Sequence, residues 1–520
     1  MRKSFLSSAI ILIIAGFIAR LLGFVYRIYL SNLIGAEGMG LYQLVVPVYT
    51  AVILTLEAGI SISVSRLIAE QQARRNSINA NRITVCAFFM VAAAGLLASV
   101  LILFNVNTLG SVLLGDERTR LSLLIMVPCI PLVASAAALK GYFYGIQNVM
   151  PTAISQVAEQ MVKIGFVMLL TSKLTMNGVA FSCAIATLSS ALGEIANMLI
   201  LAAVYAYKIK IKRTTIKYTA RMRKRTILTE LVKQSVPISA NRLVVSALAA
   251  AEYAMIPAML SSGGMEYKSS MELFGRLSGM ALPLIMFPSL VTNSLATTLV
   301  PAISEGMSLN NYKAVNNKIS KSIQITFILG MIFTALFFSY PDELGSLIYR
   351  HERIGDLLKL LSFTCVFIYL QQTLMGVLNG LGKQGLLLRN TVIGSLMRIA
   401  TVYFIVPVLG IKSYIIGIAV SFFVTSILNL AAIRKMTGLL IDFKYWLLKP
   451  AIVGGIMALS AKFIYSFFEI LSFGETITIL LAVSADMLIS GFFMVLLGIL
   501  NINEVMDIVG IKKMREIKKS

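Results

Sequence analysis

Charge is scarce in this chain. Asp, Glu, Lys and Arg make up 13% of its 520 residues while hydrophobic residues make up 58%. A soluble domain carries about 25% charged residues, so the soluble globular classes are excluded, and so are charge-rich disordered ones. Acids are the rarer sign, with 23 Asp and Glu against 46 Lys and Arg, a formal net charge of +23. There is a single histidine, His351, in the short charged segment Tyr349-Arg-His-Glu-Arg353 with no motif around it. Histidine-based catalysis and histidine metal sites therefore find little support. The four cysteines, Cys86, Cys129, Cys183 and Cys365, all lie inside apolar stretches. Their spacing suits neither a metal site nor a disulfide framework, and they read as small buried hydrophobes. No nucleotide-binding motif is present, and no metal or organic cofactor is expected.

What is present is a succession of apolar runs of about 20 residues, the length that crosses a bilayer as a helix. Strands of a β-barrel would alternate polar and apolar over about 10 residues, and these runs do not. The expected fold is an all-α polytopic membrane protein of about fourteen transmembrane helices. The spans are read at roughly 5–30, 41–64, 83–104, 121–144, 152–172, 177–205, 231–259, 272–300, 322–340, 356–379, 386–408, 412–433, 447–468 and 477–500. Arg2 and Lys3 followed by Phe5 to Ala19 mimic a secretory signal. No small-residue cleavage site follows, so the segment is read as a retained first helix.

Basic residues in the loops orient the chain. One set of loops holds Arg66, Arg74, Arg75 and Arg82, nine basic residues between Lys208 and Arg225, and five from Lys512 to Lys519. The other set holds seven: Arg118, Arg120, Lys173, Lys268, Arg350, Arg353 and Lys412. This predicts a cell-membrane protein with both termini cytoplasmic. The positive charge is then a basic face beside anionic lipid, and nucleic acid is not an expected partner.

Spans 1–6 and 7–12 read as two copies of one unit. Gly141-x3-Gly145 is matched by Gly376-x3-Gly380 at an offset of 235 residues, and Lys163-Ile164 by Arg398-Ile399 at the same offset. Glu70 matches Glu305 at 235, Pro47 matches Pro283 at 236, and Gly178-Val-Ala-Phe-Ser182 resembles Gly417-Ile-Ala-Val-Ser421 at 239. Six helices per copy make the repeat parallel. The expected divisions are a six-helix lobe at 1–207, a basic linker at 208–230, a second lobe at 231–435, two further helices within 436–502, and a basic tail at 503–520.

Several charges sit where the hydrocarbon should be, at about 2.5–3.5 kcal/mol each for a lipid-facing position. Gly16, Arg20, Gly23 and Arg27 fall 4, 3 and 4 residues apart, on one face of the first helix. Arg242 occupies a similar depth in the first helix of the second copy, and Arg276 opens span 8 within Phe274-Gly-Arg276-Leu-Ser-Gly279. Snorkelling to the headgroups is the bland alternative, above all for Arg27. Glu159 and Lys163, four residues apart, are expected to pair, with Arg398 as a further structural charge. Glu57 has no local partner; pairing with an arginine and carrying a proton both stay open. Glu252 is a second such acid, and Lys462 and Asp486 on spans 13 and 14 are expected to neutralise each other. Arginine's planar fork suits phosphate oxygens, so a cavity lined by Arg20, Arg27, Arg242 and Arg276 points to a substrate with about two negative charges.

At these residues a family resemblance emerges. Ala15-Gly-Phe-Ile-Ala-Arg20-Leu-Leu-Gly-Phe24, Ile34-Gly-Ala-Glu-Gly-Met-Gly-Leu-Tyr42, Ser65-Arg-Leu-Ile-Ala-Glu70, Lys140-Gly-Tyr-Phe-Tyr-Gly-Ile-Gln-Asn148 and Ser155-Gln-Val-Ala-Glu-Gln160 carry it. The chain resembles the multidrug/oligosaccharidyl-lipid/polysaccharide exporter superfamily, within its sporulation branch, along its whole length. The resemblance implies a non-enzymatic flippase of an undecaprenyl-diphosphate-linked saccharide, related to lipid II flippases and serving spore-cortex peptidoglycan. It also implies fourteen helices in two lobes, alternating access, a cationic central cavity, and a groove on the last two helices for the lipid tail. Cell-wall synthesis proteins become candidate partners beside the lipid-linked oligosaccharide and the bilayer. Arg20 and Arg276 match the family's cavity arginines, and Glu57 matches an acid of the second helix. An arginine pair that lipid II flippases carry just before that acid is replaced by Val52 and Ile53, and their second basic position on helix 1 falls on Tyr26. Other readings are export of another polysaccharide or teichoic-acid precursor, drug/cation antiport, and a cell-wall scaffold.

Overall fold

The computed structural model describes residues 5–73, 76–170, 178–212, 222–350, 352–471 and 474–499. His351, Lys173, the tail at 503–520 and residues 213–221 of the basic linker lie outside the described residues. Among those described, every regular element is helical. The long helices are α1 (Phe5–Ala73), α2 (Ser77–Phe104), α3 (Thr119–Gly145), α4 (Met150–Leu169), α5 (Val179–Lys212) and α6 (Lys224–Ser262). They continue as α7 (Tyr267–Met286), α8 (Ser289–Ser308), α9 (Tyr312–Ser339), the short α10 (Pro341–Ile348) and α11 (Gly355–Ser362), and α12 (Cys365–Gly380). The last four are α13 (Gln384–Leu409), α14 (Ile411–Thr437), α15 (Lys444–Ile470) and α16 (Glu475–Leu496).

Ten of these helices are long and apolar enough to cross a membrane, or up to twelve if each bent pair is one span. The 69 residues of α1 would reach roughly 100 Å at about 1.5 Å per residue, three times the hydrocarbon thickness. Its break is at Gly35, whose φ of 67° is the left-handed region that glycine enters freely. Cutting α1 there yields two spans. Helix α4 is long enough, but Gln156, Glu159, Gln160 and Lys163 lower its hydropathy. With both adjustments the segments correspond to the fourteen expected. The chain is an all-α, multi-pass membrane protein.

The chain forms two compact units, Met1–Met280 with Ser395–Ile411, and Ala281–Gly394 with Lys412–Ser520. In the first, Val64, Ile68, Ile83, Leu139 and Phe143 belong to one buried cluster. In the second, Leu299, Ile303, Leu374 and Leu378 belong to another, and Ile332, Val453, Met457 and Ala482 to a third that joins α15 and α16 to α9.

The internal repeat recurs as repeated contacts. A Cβ on Gly141 would lie 2.8 Å from the Ser61 carbonyl oxygen, and one on Gly145 would lie 2.8 Å from Ser65 O and Ile68. Gly376 meets Ala296 in the same way, and Gly380 meets Val300 and Ile303. All these partners, like the glycines, are 235 residues apart. Small residues in this i, i+4 pattern let two membrane helices approach closely. The caps repeat as well: Asn76 accepts from Asn79 N and Asn311 from Ala314 N, both at 3.1 Å. So do the turns, with Gln147 (φ 56°) and Gly382 (φ 71°) in the left-handed region.

The last sequence match needs correction. Gly178 is left-handed and precedes α5, whereas Gly417 lies inside α14. The conformational counterpart of Gly178 is Gly410, with φ of 69° and just ahead of α14. The offset therefore falls to 232 rather than rising to 239. It brings Asn197 onto Asn429, each of which donates to a side-chain carbonyl or carboxylate oxygen on a neighbouring helix.

The pairing expected between Lys462 and Asp486 is also corrected. Lys462 is exposed on α15. Asp486 is fully buried and hydrogen-bonds the Tyr340 hydroxyl and, at 2.8 Å, the Ser460 hydroxyl. One charge is exposed and the other buried, a difference set by rotation about the helix axes that adjacency of spans does not specify.

Candidate functional site

Within the first unit, a cavity of about 500 Å³ lies between the opening stretch of α1 and α4, lined by Gly16, Arg20, Gly23, Gln156, Glu159 and Gln160. The glycines make the room. A Cβ on Gly16 would meet nothing within 4 Å, and one on Gly23 would come within 3.3 Å of Gln160 Oε1. Arg20, one turn from each, is exposed at this wall. Three members of the expected stripe thus share one cavity. Arg27 does not line it; it is half-buried.

Behind the α4 wall, the carboxylates are held by partners inside the first unit. Glu159 accepts from Lys163 at 2.7 Å and from Asn197 at 2.6 Å, so the spacing-based pair forms and gains an amide from α5. Lys163 also stands 4.0 Å from Glu194, which accepts from the Tyr49 hydroxyl. Each contact offsets the large penalty of taking a charge out of water.

Glu57 is neither alone nor matched to an arginine. It accepts from Lys140 of α3, with both side chains largely buried. The sequence marked Lys140 only as the start of a familiar stretch. The signal that places it is Gly141, whose missing side chain brings α3 against α1 at Ser61, one helical turn beyond Glu57. Tyr49 was not legible as a site residue, since a tyrosine in an apolar run reads as core.

The remaining expected residues are dispersed. Arg276 stands in a π-helical segment, Gly275–Ala281, a local geometry often found at functional sites. It is 3.8 Å from Glu272, both one-third exposed. Gly275 and Gly279 seat this segment against Ala36, Gly40 and Met39 of α1, and Gln43 Nε2 donates to Ser278 O at 2.9 Å. Arg242 is exposed on α6. Glu252, 3% exposed, accepts from Arg398 Nε at 2.8 and 3.1 Å. This pair gives each charge an opposite partner.

The second unit holds an uncharged counterpart. Asn390 donates to Asn429 at 2.8 Å, and Asn429 to Gln371 at 3.0 Å. Among the described residues no group of three or more His, Cys, Asp or Glu is arranged to hold a metal ion.

Comparisons with known proteins agree with this architecture. A family model described as polysaccharide biosynthesis protein matches residues 5–307. Stage V sporulation protein B of Bacillus subtilis is 30% identical over 455 residues, covering 87% of this chain and 88% of that protein. The lipid II flippase MurJ of Bacillus subtilis is 23% identical over 468 residues, covering 84% of each. Among solved structures, an inward-facing multidrug resistance MATE family transporter of the MOP superfamily superposes with a TM-score of 0.66 at 16% identity. That match covers 81% of this chain and 94% of the other, and at this identity it speaks for the fold alone.

Proposed function

We propose, for a chain that belongs to the polysaccharide biosynthesis protein family, that it is a flippase carrying an undecaprenyl-diphosphate-linked saccharide, lipid II in the first place, across the cell membrane. The observation that carries this reading is Arg20 on the wall of a cavity of about 500 Å³. Glu159 on the same wall already has its charge matched by Lys163 and accepts a further hydrogen bond from Asn197. An arginine on a wall whose one acid is already neutralised favours an anion, and its fork fits a diphosphate. A cationic drug would be repelled by Arg20.

In this proposal the lobes at 1–207 and 231–435 alternate access while Arg20, Arg276, Arg242 and Arg27 hold the diphosphate. The basic linker at 208–230 joins the lobes, and helices within 436–502 hold the polyprenyl tail. Both termini face the cytoplasm, and cell-wall synthesis proteins draw on the product. The chain is a transporter and not an enzyme, driven by an ion gradient, the membrane potential or consumption of the product.

The test is flipping of labelled lipid II in proteoliposomes. Arg20→Ala and Arg276→Ala should each slow flipping at least tenfold, about 1.4 kcal/mol of lost interaction, with reconstitution unchanged. Wild-type rates in both variants would remove the arginine clamp. Absence of flipping by the wild type under an imposed potential, with another polyprenyl-linked glycan moved instead, would replace lipid II as substrate.

A further inference from the structure

Asp486 in α16 is fully buried, and among the described residues no lysine, arginine or histidine stands within salt-bridge distance of it. Its partners are two hydroxyls, Tyr340 at the end of α9 and Ser460 of α15. The Tyr340 oxygen also lies 3.1 Å from the carbonyl oxygen of Ala461.

A proton count favours one state of this joint. A tyrosine hydroxyl has one proton to give, and a backbone carbonyl can only accept. Were Asp486 an anion, Tyr340 would face two acceptors with a single proton, and one contact would set lone pair against lone pair. A neutral Asp486 resolves this. Its own proton goes to the Tyr340 oxygen, the Tyr340 proton goes to Ala461 O, and Ser460 shares its one proton between the other carboxyl oxygen at 2.8 Å and Met457 O at 3.1 Å. Leaving a buried carboxylate without a cation would cost several kcal/mol, and a carboxyl so placed takes up a proton instead.

The other charged groups around the joint do not supply a cation. Glu343 and Asp342 on α10, Glu469 on α15 and Glu475 at the start of α16 are all acids, and Tyr465 is neutral. Lys462 of α15 is exposed.

We propose that Asp486 is a proton-binding site, occupied in this conformation, at which the bound proton ties α16 and α15 to the end of α9. Loss of the proton would place a bare carboxylate against Tyr340 with no counter-charge and loosen that three-helix joint. The terminal helix pair thereby acquires a switch that answers to proton concentration, independent of what the cavity carries.

The chain suits infrared spectroscopy. It has six aspartates, Asp116, Asp342, Asp356, Asp442, Asp486 and Asp507, and Asp486 is the one in the interior of a long apolar helix. With aspartate carboxyl carbons labelled with carbon-13, the reconstituted wild type at pH 7 should show a protonated-carboxyl C=O band at the isotope-shifted frequency. The band should vanish in Asp486→Asn, and in Tyr340→Phe it should move to higher frequency as its acceptor is lost. Absence of a labelled protonated-carboxyl band in the folded wild type overturns the proposal. A labelled band that survives Asp486→Asn, or that Tyr340→Phe leaves unmoved, does so as well. The wild-type labelling and Tyr340→Phe still decide the matter if Asp486→Asn does not fold.

Discussion

Gly275 stands so close to Ala36 that a Cβ at Gly275 would lie 1.9 Å from the Ala36 carbonyl oxygen. The obstacle is backbone, which cannot swing aside as a flexible side chain does. This contact fixes where Arg276 emerges, because the arginine follows the glycine in the same π-helical segment.

Gly275→Ala should therefore destabilise the protein by about 1–3 kcal/mol, the usual range for overpacking, or more. Gly16→Ala is the control. It meets nothing within 4 Å, and alanine is the better helix former by up to about 1 kcal/mol. Thermal melting of the purified proteins in detergent should show a lower Tm for the first and an unchanged or higher Tm for the second. Equal melting temperatures for Gly275→Ala and the wild type would count against the close packing.

The Glu252–Arg398 pair should behave as a buried ion pair does. Arg398→Met or Glu252→Gln alone leaves a buried partner uncompensated, at about 3–5 kcal/mol. The double variant removes both charges and should recover much of that loss. A double-mutant cycle of unfolding free energies checks it, and additive losses would mean that the two side chains do not interact.

Glu343, in α10 outside the spans, should add an acid-side dependence of stability. Burial pushes its carboxyl above the usual range, and Asp342, Glu475 and Glu469 push it further in the same direction. A carboxyl whose folded-state pKa is raised binds more protons folded than unfolded. Its stabilising effect is therefore full below the ordinary glutamate pKa, about 4.3, and is lost as pH rises through the raised value. Melting curves of wild type and Glu343→Gln across that window should converge at high pH less well than at low pH. A pH-independent difference would show that Glu343 does not titrate there.

The spans and the repeat were readable because apolar runs and paired glycines are one-dimensional signals. Gly141 and Gly376 mark helix crossings whichever way the chain is turned. The late repeat match misled because a glycine followed by small residues is ordinary inside helices, whereas the left-handed turn shared by Gly178 and Gly410 is a backbone property. Side-chain partners were less legible. Glu159 and Lys163 were found because four residues make a local rule, while Glu57 with Lys140, and Asp486 with Tyr340, depend on how separate helices rotate against each other. Arg20 was recoverable from its glycine neighbours; the exposure of Arg242 and the half-buried position of Arg27 were not.

The repeated contacts have a consequence for descent. One ancestral six-helix gene, copied and fused, would have begun with identical chemistry in both copies. Carried along the repeat, Glu57, Lys140, Glu159 and Glu194 of the first copy fall on Thr292, Met375, Gly394 and Ser426 of the second. Only Lys163 keeps a basic counterpart, Arg398. The backbone contacts are alike while these four charges stand in the first copy alone. Duplication thus let selection hold the scaffold constant and give its two halves different electrical characters, which a protein built from two identical subunits cannot do.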